Sequence, residues 1–239
     1  MLFRSQAIPA IEQSMAEIPG ARGLLLSPQR PDLPKGIEWK KIGTLNYQQY
    51  SVFMMHSLYA FIETEHCLIV QDDGWVINGK NIDKFLEYDD VGAPCHAAIV
   101  GDTLVPQFKW INESSRIVIQ NGGVSLRSKR FLESCNKLGL THIPHPELWN
   151  EDIQLTGIYK GILQNYDIRF APEDVAKEFA VEYFAPGYND KINLDELVGI
   201  HGQSRKLVSK YCVEFSANAF GEKRLAEFLQ NKGYKIKWM

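Results

Sequence analysis

The chain has 239 residues, 45% hydrophobic and 23% charged, and its 26 basic and 29 acidic side chains leave a net charge of −3. That balance excludes a nonspecific nucleic-acid binder, which needs a basic footprint. No stretch approaches the 18 or so apolar residues of a membrane-spanning helix, so no integral membrane segment is expected.

The opening Met1-Leu2-Phe3-Arg4-Ser5 lacks the apolar core of a signal peptide. Cys67, Cys95, Cys135 and Cys212 are scattered and form no C-x-x-C pair. They read as reduced thiols of a cytoplasmic protein, not as a zinc or redox site.

Ile8, Ile11, Met15 and Ile18 recur at helical spacing until Pro19-Gly20 ends the pattern. Gly23 to Leu26 has strand length, prolines 28, 31 and 34 mark a loop, and Ile37 to Ile42 is a second short strand. Tyr47, Tyr50, Met54, Leu58 and Phe61 place one apolar face on a second helix. Cys67-Leu68-Ile69-Val70 is a continuous apolar run, the pattern of a strand buried on both faces. This alternation predicts an α/β layer architecture with a mainly parallel sheet.

Further on, Ile117 to Ile119 and Val124 to Leu126 read as strands around Asn121-Gly122-Gly123. A helix follows Trp149, Ile168 to Phe170 suits a strand, and Leu225, Phe228 and Leu229 mark a terminal helix. No repeat or low-complexity linker divides the chain. The expectation is one domain over residues 1–239, with a helical extension from about 203 to 239.

Four segments carry possible chemistry. Gln71-Asp72-Asp73-Gly74 puts two acids past the carboxyl end of the apolar strand. Ligands of open α/β sheets bind at that end, and carboxylates there suit Mg²⁺ or Mn²⁺ bridging to phosphates. The alternative is a solvated turn.

Gln120 to Ser128 contains paired glycines that let backbone approach a ligand, with Asn121, Ser125 and Arg127 nearby. The alternative is a hairpin turn. In Asn150-Glu151-Asp152, Asn150 suits a helix cap, and a projecting carboxylate suits a general base. His201, close to Gly199 and Gly202, suits a metal ligand, a proton-transfer group or a plain loop histidine. His142 and His145 read as loop residues, and His56, His66 and His96 as surface or packing residues.

In order and spacing these segments resemble a bacterial and phage family of proposed GT-A-type glycosyltransferases, long catalogued as a domain of unknown function. The matching stretches are Thr64 to Asn78, Phe85 to Pro94, Asn121 to Ser128, Asn150-Glu151-Asp152, Phe170-Ala171-Pro172, Phe179 to Glu182 and Gly199 to Gly202. Together they cover roughly residues 7 to 203.

The resemblance implies a GT-A-like, nucleotide-sugar-binding fold. Its central mixed, mostly parallel sheet would be flanked by helices, with a first strand shortened to Leu2-Phe3-Arg4. It implies transfer of a sugar from a nucleotide-sugar donor to a glycan or other hydroxyl acceptor, metal-dependent and inverting. The alternative is a noncatalytic sugar or nucleotide-sugar binding module.

By the same resemblance Gln71, Asp72, Asp73 and Gly74 stand at the donor-diphosphate motif, with Gln71 in place of its first acid. Asp73 and His201 are the expected ligands of Mn²⁺ or Mg²⁺. Asn121, Gly122 and Gly123 line the donor and acceptor pocket, and Arg127 supports a phosphate or a structural salt bridge. Glu151 and Asp152 form the catalytic pair, with Asp152 as base. Cys95 stands where relatives usually carry Trp.

Overall fold

The computed structural model describes residues 5–100, 103–107, 116–145, 148–216 and 221–239. It is a mixed α/β structure in which the sheets are small. The first helix, α1 (Ile8–Glu17), and the parallel pair β1 (Gly23–Ser27) and β2 (Ile37–Lys41) lie where the sequence places them. Helix α2 (Tyr47–His56) opens on a reciprocal cap: Asn46 accepts from the Gln49 amide, and the Gln49 side chain accepts from the Asn46 amide. A 3-10 turn, Leu58–Phe61, continues it.

The largest sheet has the order β3-β7-β5-β6, from β3 (His66–Ile69), β5 (Asp90–Val100), β6 (Thr103–Gln107) and β7 (Arg116–Ser128). Every pairing in it is antiparallel. This corrects the expected mostly parallel central sheet. Among the described residues, parallel pairing is confined to β1–β2, to two short strand pairs, β8–β9 and β11–β12, whose ranges are given below, and to an isolated bridge between Asp90 and Phe170. The physical reason is non-local: β3 takes its partner from a strand some 60 residues on, by direct antiparallel pairing and not by a helical crossover.

Two local expectations also change. Asn121-Gly122-Gly123 is no hairpin turn but the middle of the single strand β7. The run Cys67 to Ile69 is half-buried and not enclosed on both faces.

Strand β4 (Gly74–Val76) leads into a second sheet of order β4-β9-β8, with β8 (Ala180–Val181) and β9 (Gly199–His201). Helix α3 (Lys129–Leu138) is capped by Ser128, whose side chain accepts from the Phe131 amide, and it ends on left-handed Gly139.

The helix expected after Trp149 is broken into α4 (Glu151–Ile153), a π-type turn over Gln154–Ile158, and α5 (Lys160–Asn165). Helix α6 (Glu173–Phe179) precedes β8. Phe170 makes only an isolated bridge to Asp90, not a full strand. Beyond residue 203 come β10 (Arg205–Ser209), β11 (Cys212–Phe215), α7 (Glu222–Asn231) and β12 (Lys235–Trp238), three of them strands of one further sheet. In that sheet β11 and β12 run parallel.

Trp75, Val181, Ile200, Leu207, Val213 and Leu225 share one apolar cluster that joins this last sheet to β4, β8 and β9. All four cysteines are free. Cys67 is half-buried, and burial pushes its thiol up to about 12, so it is inert at neutral pH.

Candidate functional site

Strand register assembles the site. In the three-stranded sheet, Gly74 of β4 faces His201 of the central strand β9. On its other side, Val181 of β8 faces Ile200. The residue before β4 and the residue after β8 are therefore carried to the two sides of one imidazole. His201 Nε2 lies 3.7 Å from Asp73 Oδ1, and His201 Nδ1 lies 4.0 Å from Glu182 Oε1.

The ring fits because two glycines leave room. A Cβ on Gly123 would stand 2.0 Å from His201 Nε2, and one on Gly74 would stand 2.7 Å from Cδ2. Gly123→Ala is therefore expected to displace His201 and to cost about 1–3 kcal/mol by overpacking. Urea unfolding measures it, and an unchanged midpoint would contradict this packing.

The turn Gln71–Gly74 closes on two backbone hydrogen bonds, Gln71 N to Gly74 O at 2.8 Å and Gly74 N to Gln71 O at 3.0 Å. Its side chains diverge. Gln71 Nε2 donates to Tyr50 Oη (3.0 Å), and Asp72 Oδ2 pairs with Lys206 Nζ (3.0 Å). Asp73 alone of the three turns toward His201. Its Oδ1 is buried without a hydrogen-bond partner, as are His201 Nδ1 and Glu182 Oε2.

Burial, then the neighbouring Asp72, push the Asp73 carboxyl up to about 6. Burial, then Asp152, push Glu182 up to about 7. Burial, then Arg205, hold His201 down to about 3. The imidazole is therefore neutral at pH 7, the form that ligates metals.

Strand β7 supplies the other wall. Its partner β3 ends at Ile69, opposite Ser125, and the register on β5 shifts between Gly92 and Pro94. Residues 121–124 have no ladder partner in either register, so their backbone groups must bond elsewhere. Gly122 N donates to Asp152 Oδ2 (3.1 Å), and Gly123 N donates to Asn121 Oδ1 (2.8 Å). The second Asp152 oxygen accepts from its neighbour's amide, Ile153 N, at 2.8 Å. Burial raises the Asp152 carboxyl, and these two N–H groups act against the rise.

Glu151 points to the other carboxylate-facing group, Arg127. This arginine is fully buried between Asp90 (Nε to Oδ1, 3.3 Å) and Glu151 (Nη2 to Oε1, 3.5 Å). Of the two roles expected for Arg127, these contacts are those of the salt bridge. Asn150 occupies the cap position of α4 but makes no capping bond; its Oδ1 accepts from the Tyr47 hydroxyl at 2.8 Å. Tyr47, half-exposed, is pushed up to about 12 by burial and by the charges of Asp152, Glu151 and Asp73.

Sequence reasoning picked Asp73, His201, Gly123, Gly122 and Asp152, and the structure gathers them. It gave no role to Glu182, Tyr47 or Tyr50. A single Glu after a two-residue strand has no local pattern, and the tyrosines read as apolar-face residues of α2. His96, expected to pack, is fully buried and lies 3.3 Å from Glu173.

Two donors at about 2.1 Å from an octahedral ion stand ~3.0 Å apart when adjacent and ~4.2 Å apart when opposite. The 3.7 Å between His201 Nε2 and Asp73 Oδ1 lies between these two values and equals neither, so the pair would have to close to ~3.0 Å to hold one ion as adjacent ligands. By donor chemistry alone, a neutral imidazole and an orphaned carboxylate oxygen, the pair is compatible with Mn²⁺ or Mg²⁺. Among the described residues, no three His, Cys, Asp or Glu side chains form a group able to hold an ion by themselves. Remaining positions would fall to water or ligand phosphate, as is usual for Mg²⁺.

These features describe a mixed α/β chain with a buried cluster of acids around one neutral histidine. The chain belongs to the DUF5672 family, described as a protein of unknown function, whose sequence model matches residues 39–201. No curated protein matches the chain. The matched stretch includes every residue of the cluster and ends on His201. No helix among the described residues is long and apolar enough to cross a membrane.

Proposed function

We propose that the chain is a glycosyltransferase on a GT-A-like frame. It would move a sugar from a nucleotide-sugar donor to a glycan or other hydroxyl acceptor, with inversion and with Mn²⁺ or Mg²⁺ bound. The observation that supports this most is the placement of two different groups around one unpaired stretch of β7. The neutral His201–Asp73 pair packs against Gly123, and Asp152 is held on the Gly122 amide.

In this reading Asp73 and His201 would hold the cation, and Glu182 lies across the ring from Asp73, 4.0 Å from Nδ1. The cation, when bound, offsets negative charge on the departing nucleoside diphosphate. Asp152 accepts the proton of the acceptor hydroxyl as its oxygen bonds to the anomeric carbon. The bond from that carbon to the diphosphate oxygen breaks, and the diphosphate leaves with the electron pair. Glu151 is a positioning residue, fixed by Arg127. Tyr47 and Asn150, which bond each other at the outer side, are placed to meet the acceptor.

The test is titration with Mn²⁺ and nucleoside diphosphates, followed by a panel of nucleotide sugars. Asp73→Asn is expected to weaken Mn²⁺ binding by more than about tenfold, the scale on which site residues tune metal affinity. If no nucleoside diphosphate binds with metal present, and the Asp73 variant behaves as the parent, the reading fails.

One observation favours a noncatalytic nucleotide-sugar binding module. Gln71 and Asp72 are both engaged inside the protein, by Tyr50 and Lys206. Binding without turnover across a broad acceptor panel would support that alternative.

A further inference from the structure

A second concave feature lies away from the acid cluster and does not depend on the transfer reading. Asp73 stands just before strand β4. Past the other end of that strand, Asn78 and Asn81 open onto a cleft of about 330 Å³. That volume is at the low end for small-molecule sites. Chain segments distant in sequence close it: the end of α1 with Glu17, the turn between β10 and β11 with Tyr211, and the link from α7 to β12 with Lys232 and Tyr234.

The lining narrows the chemistry of a ligand. It is mostly polar, so an apolar chain seated there would strip water from polar groups without replacing it. Its charges balance, Glu17 and Asp195 against Lys80 and Lys232, and Lys232 Nζ pairs with Asp195 Oδ1 at 3.1 Å. An ion would meet no excess of opposite charge. Two side-chain amides and two phenol rings remain. An amide offers donors and an acceptor together, and an aromatic ring offers an apolar face beside a polar tip. A neutral polyol ring, with hydroxyls at its edge and C–H bonds on its faces, matches both.

These groups are held in place. Asn78 Nδ2 donates to Asp195 O, and Asn78 Oδ1 accepts from Lys80 N at 3.1 Å, which leaves one N–H and one lone pair. Asn81 precedes the 3-10 turn Ile82–Phe85 without capping it through its side chain. Tyr234 is 5% exposed, and its ring meets that of Tyr211 at 78° with centroids 5.1 Å apart.

Tyr211 itself is out of place by local rules. Its φ of +56° lies in the left-handed region, unfavourable for a bulky side chain and taken at less cost by Gly or Asn. The turn needs that backbone conformation, and its carbonyl accepts from Lys235 N at 2.7 Å. A ring adds nothing to either. What the ring supplies is an aromatic wall, 37% exposed, at the mouth of the cleft.

We propose that this cleft binds a neutral sugar ring, seated against Tyr211 and hydrogen-bonded by Asn78 and Asn81. The site is separate from the Asp73–His201 pair, at the opposite end of β4.

The test is amide NMR of the labelled chain, titrated with methyl glycosides of glucose, galactose, mannose and N-acetylglucosamine, with maltose and lactose, and with inorganic phosphate. At least one sugar is expected to shift the amides of Asn78, Tyr211 and Tyr234. A disaccharide binding more tightly than its methyl glycoside identifies one unit of a longer glycan; equal binding identifies a free sugar. Tyr211→Asn is expected to weaken binding by about tenfold, the scale of one aromatic contact, and Tyr211→Phe to restore it. Asn81→Ala, which removes no cap, is expected to weaken it by about threefold or more at an unchanged melting temperature.

No shift at these amides with any sugar would overturn the proposal, as would shifts confined to Gly122 and Gly123, which would place the sugar at the acid cluster. Equal binding by the parent and Tyr211→Asn would make the tyrosine a packing residue and overturn it too. Should Tyr211→Asn fail to fold, Asn81→Ala decides: binding at the parent affinity overturns the proposal. Shifts with phosphate and none with sugar would make the cleft an anion site, again against it.

Discussion

Asp152→Asn is expected to lower sugar transfer by about 10²–10⁴-fold, the usual loss when a positioned general base is removed. The fold and nucleoside diphosphate binding should survive. The parent carboxylate spends one oxygen on Gly122 N and the other on Ile153 N, at 3.1 and 2.8 Å. Asparagine keeps one acceptor oxygen and sets its N–H₂ against the other backbone N–H, so one of those bonds is lost, at about 1–3 kcal/mol. What disappears entirely is the ability to take a proton. A single-turnover assay beside a thermal melt separates the two effects. Transfer at the parent rate would remove Asp152 from the mechanism.

Arg127→Met is expected to destabilise the protein by about 3–5 kcal/mol at pH 8, because truncating one partner leaves buried charge uncompensated. Two carboxylates are stranded, Asp90 and Glu151, both buried. Burial already pushes Asp90 up to about 6 and raises Glu151, and Arg127 holds both lower than burial alone would. Without it both rise further.

A carboxyl that binds its proton more tightly folded than unfolded costs stability when ionised, and the cost fades as pH falls through its folded value. The deficit of Arg127→Met should therefore be largest at pH 8 and smaller at pH 5. Denaturant unfolding at the two values checks it; a deficit that grows toward pH 5 would mean Arg127 is not the partner of these acids.

The helices were legible where a 3.6-residue apolar period ran, as in α1, stopped by Pro19-Gly20, and in α2, from the apolar face that Tyr47, Tyr50 and Met54 share. Strand β1 was legible as an apolar run, and β2 as a short strand over Ile37 to Ile42 after the proline-marked loop. Strand direction in the main sheet was not, because an apolar run carries no mark of which distant segment pairs with it. Asn121-Gly122-Gly123 read as a turn because those residues favour turns. In the strand the glycines serve a tertiary need, room for Glu151 and His201, which no window of sequence shows.

The same limit applies to the site. Asp73, Asp152 and His201 were found by resemblance of ordered segments, whereas Glu182 reaches His201 only through strand register. The broken helix after Trp149 was missed because its apolar spacing fits an unbroken one. Its π-type turn, closed by Tyr159 N to Gln154 O at 2.7 Å, is set by tertiary packing.

The row Asp73, His201, Glu182 has a consequence for how the molecule holds its chemistry in place. Joining Asp73 to His201 closes a loop of well over a hundred residues, an entropic cost on the order of 4 kcal/mol plus a constant. None of the three polar groups supplies that free energy, since none makes a hydrogen bond to another. It comes from their chain neighbours Trp75, Val181 and Ile200, each at most 1% exposed and all in one apolar cluster. Each polar residue is tethered within two positions of such an anchor. The reach of the site is therefore set by the fit of three apolar side chains that never touch a ligand.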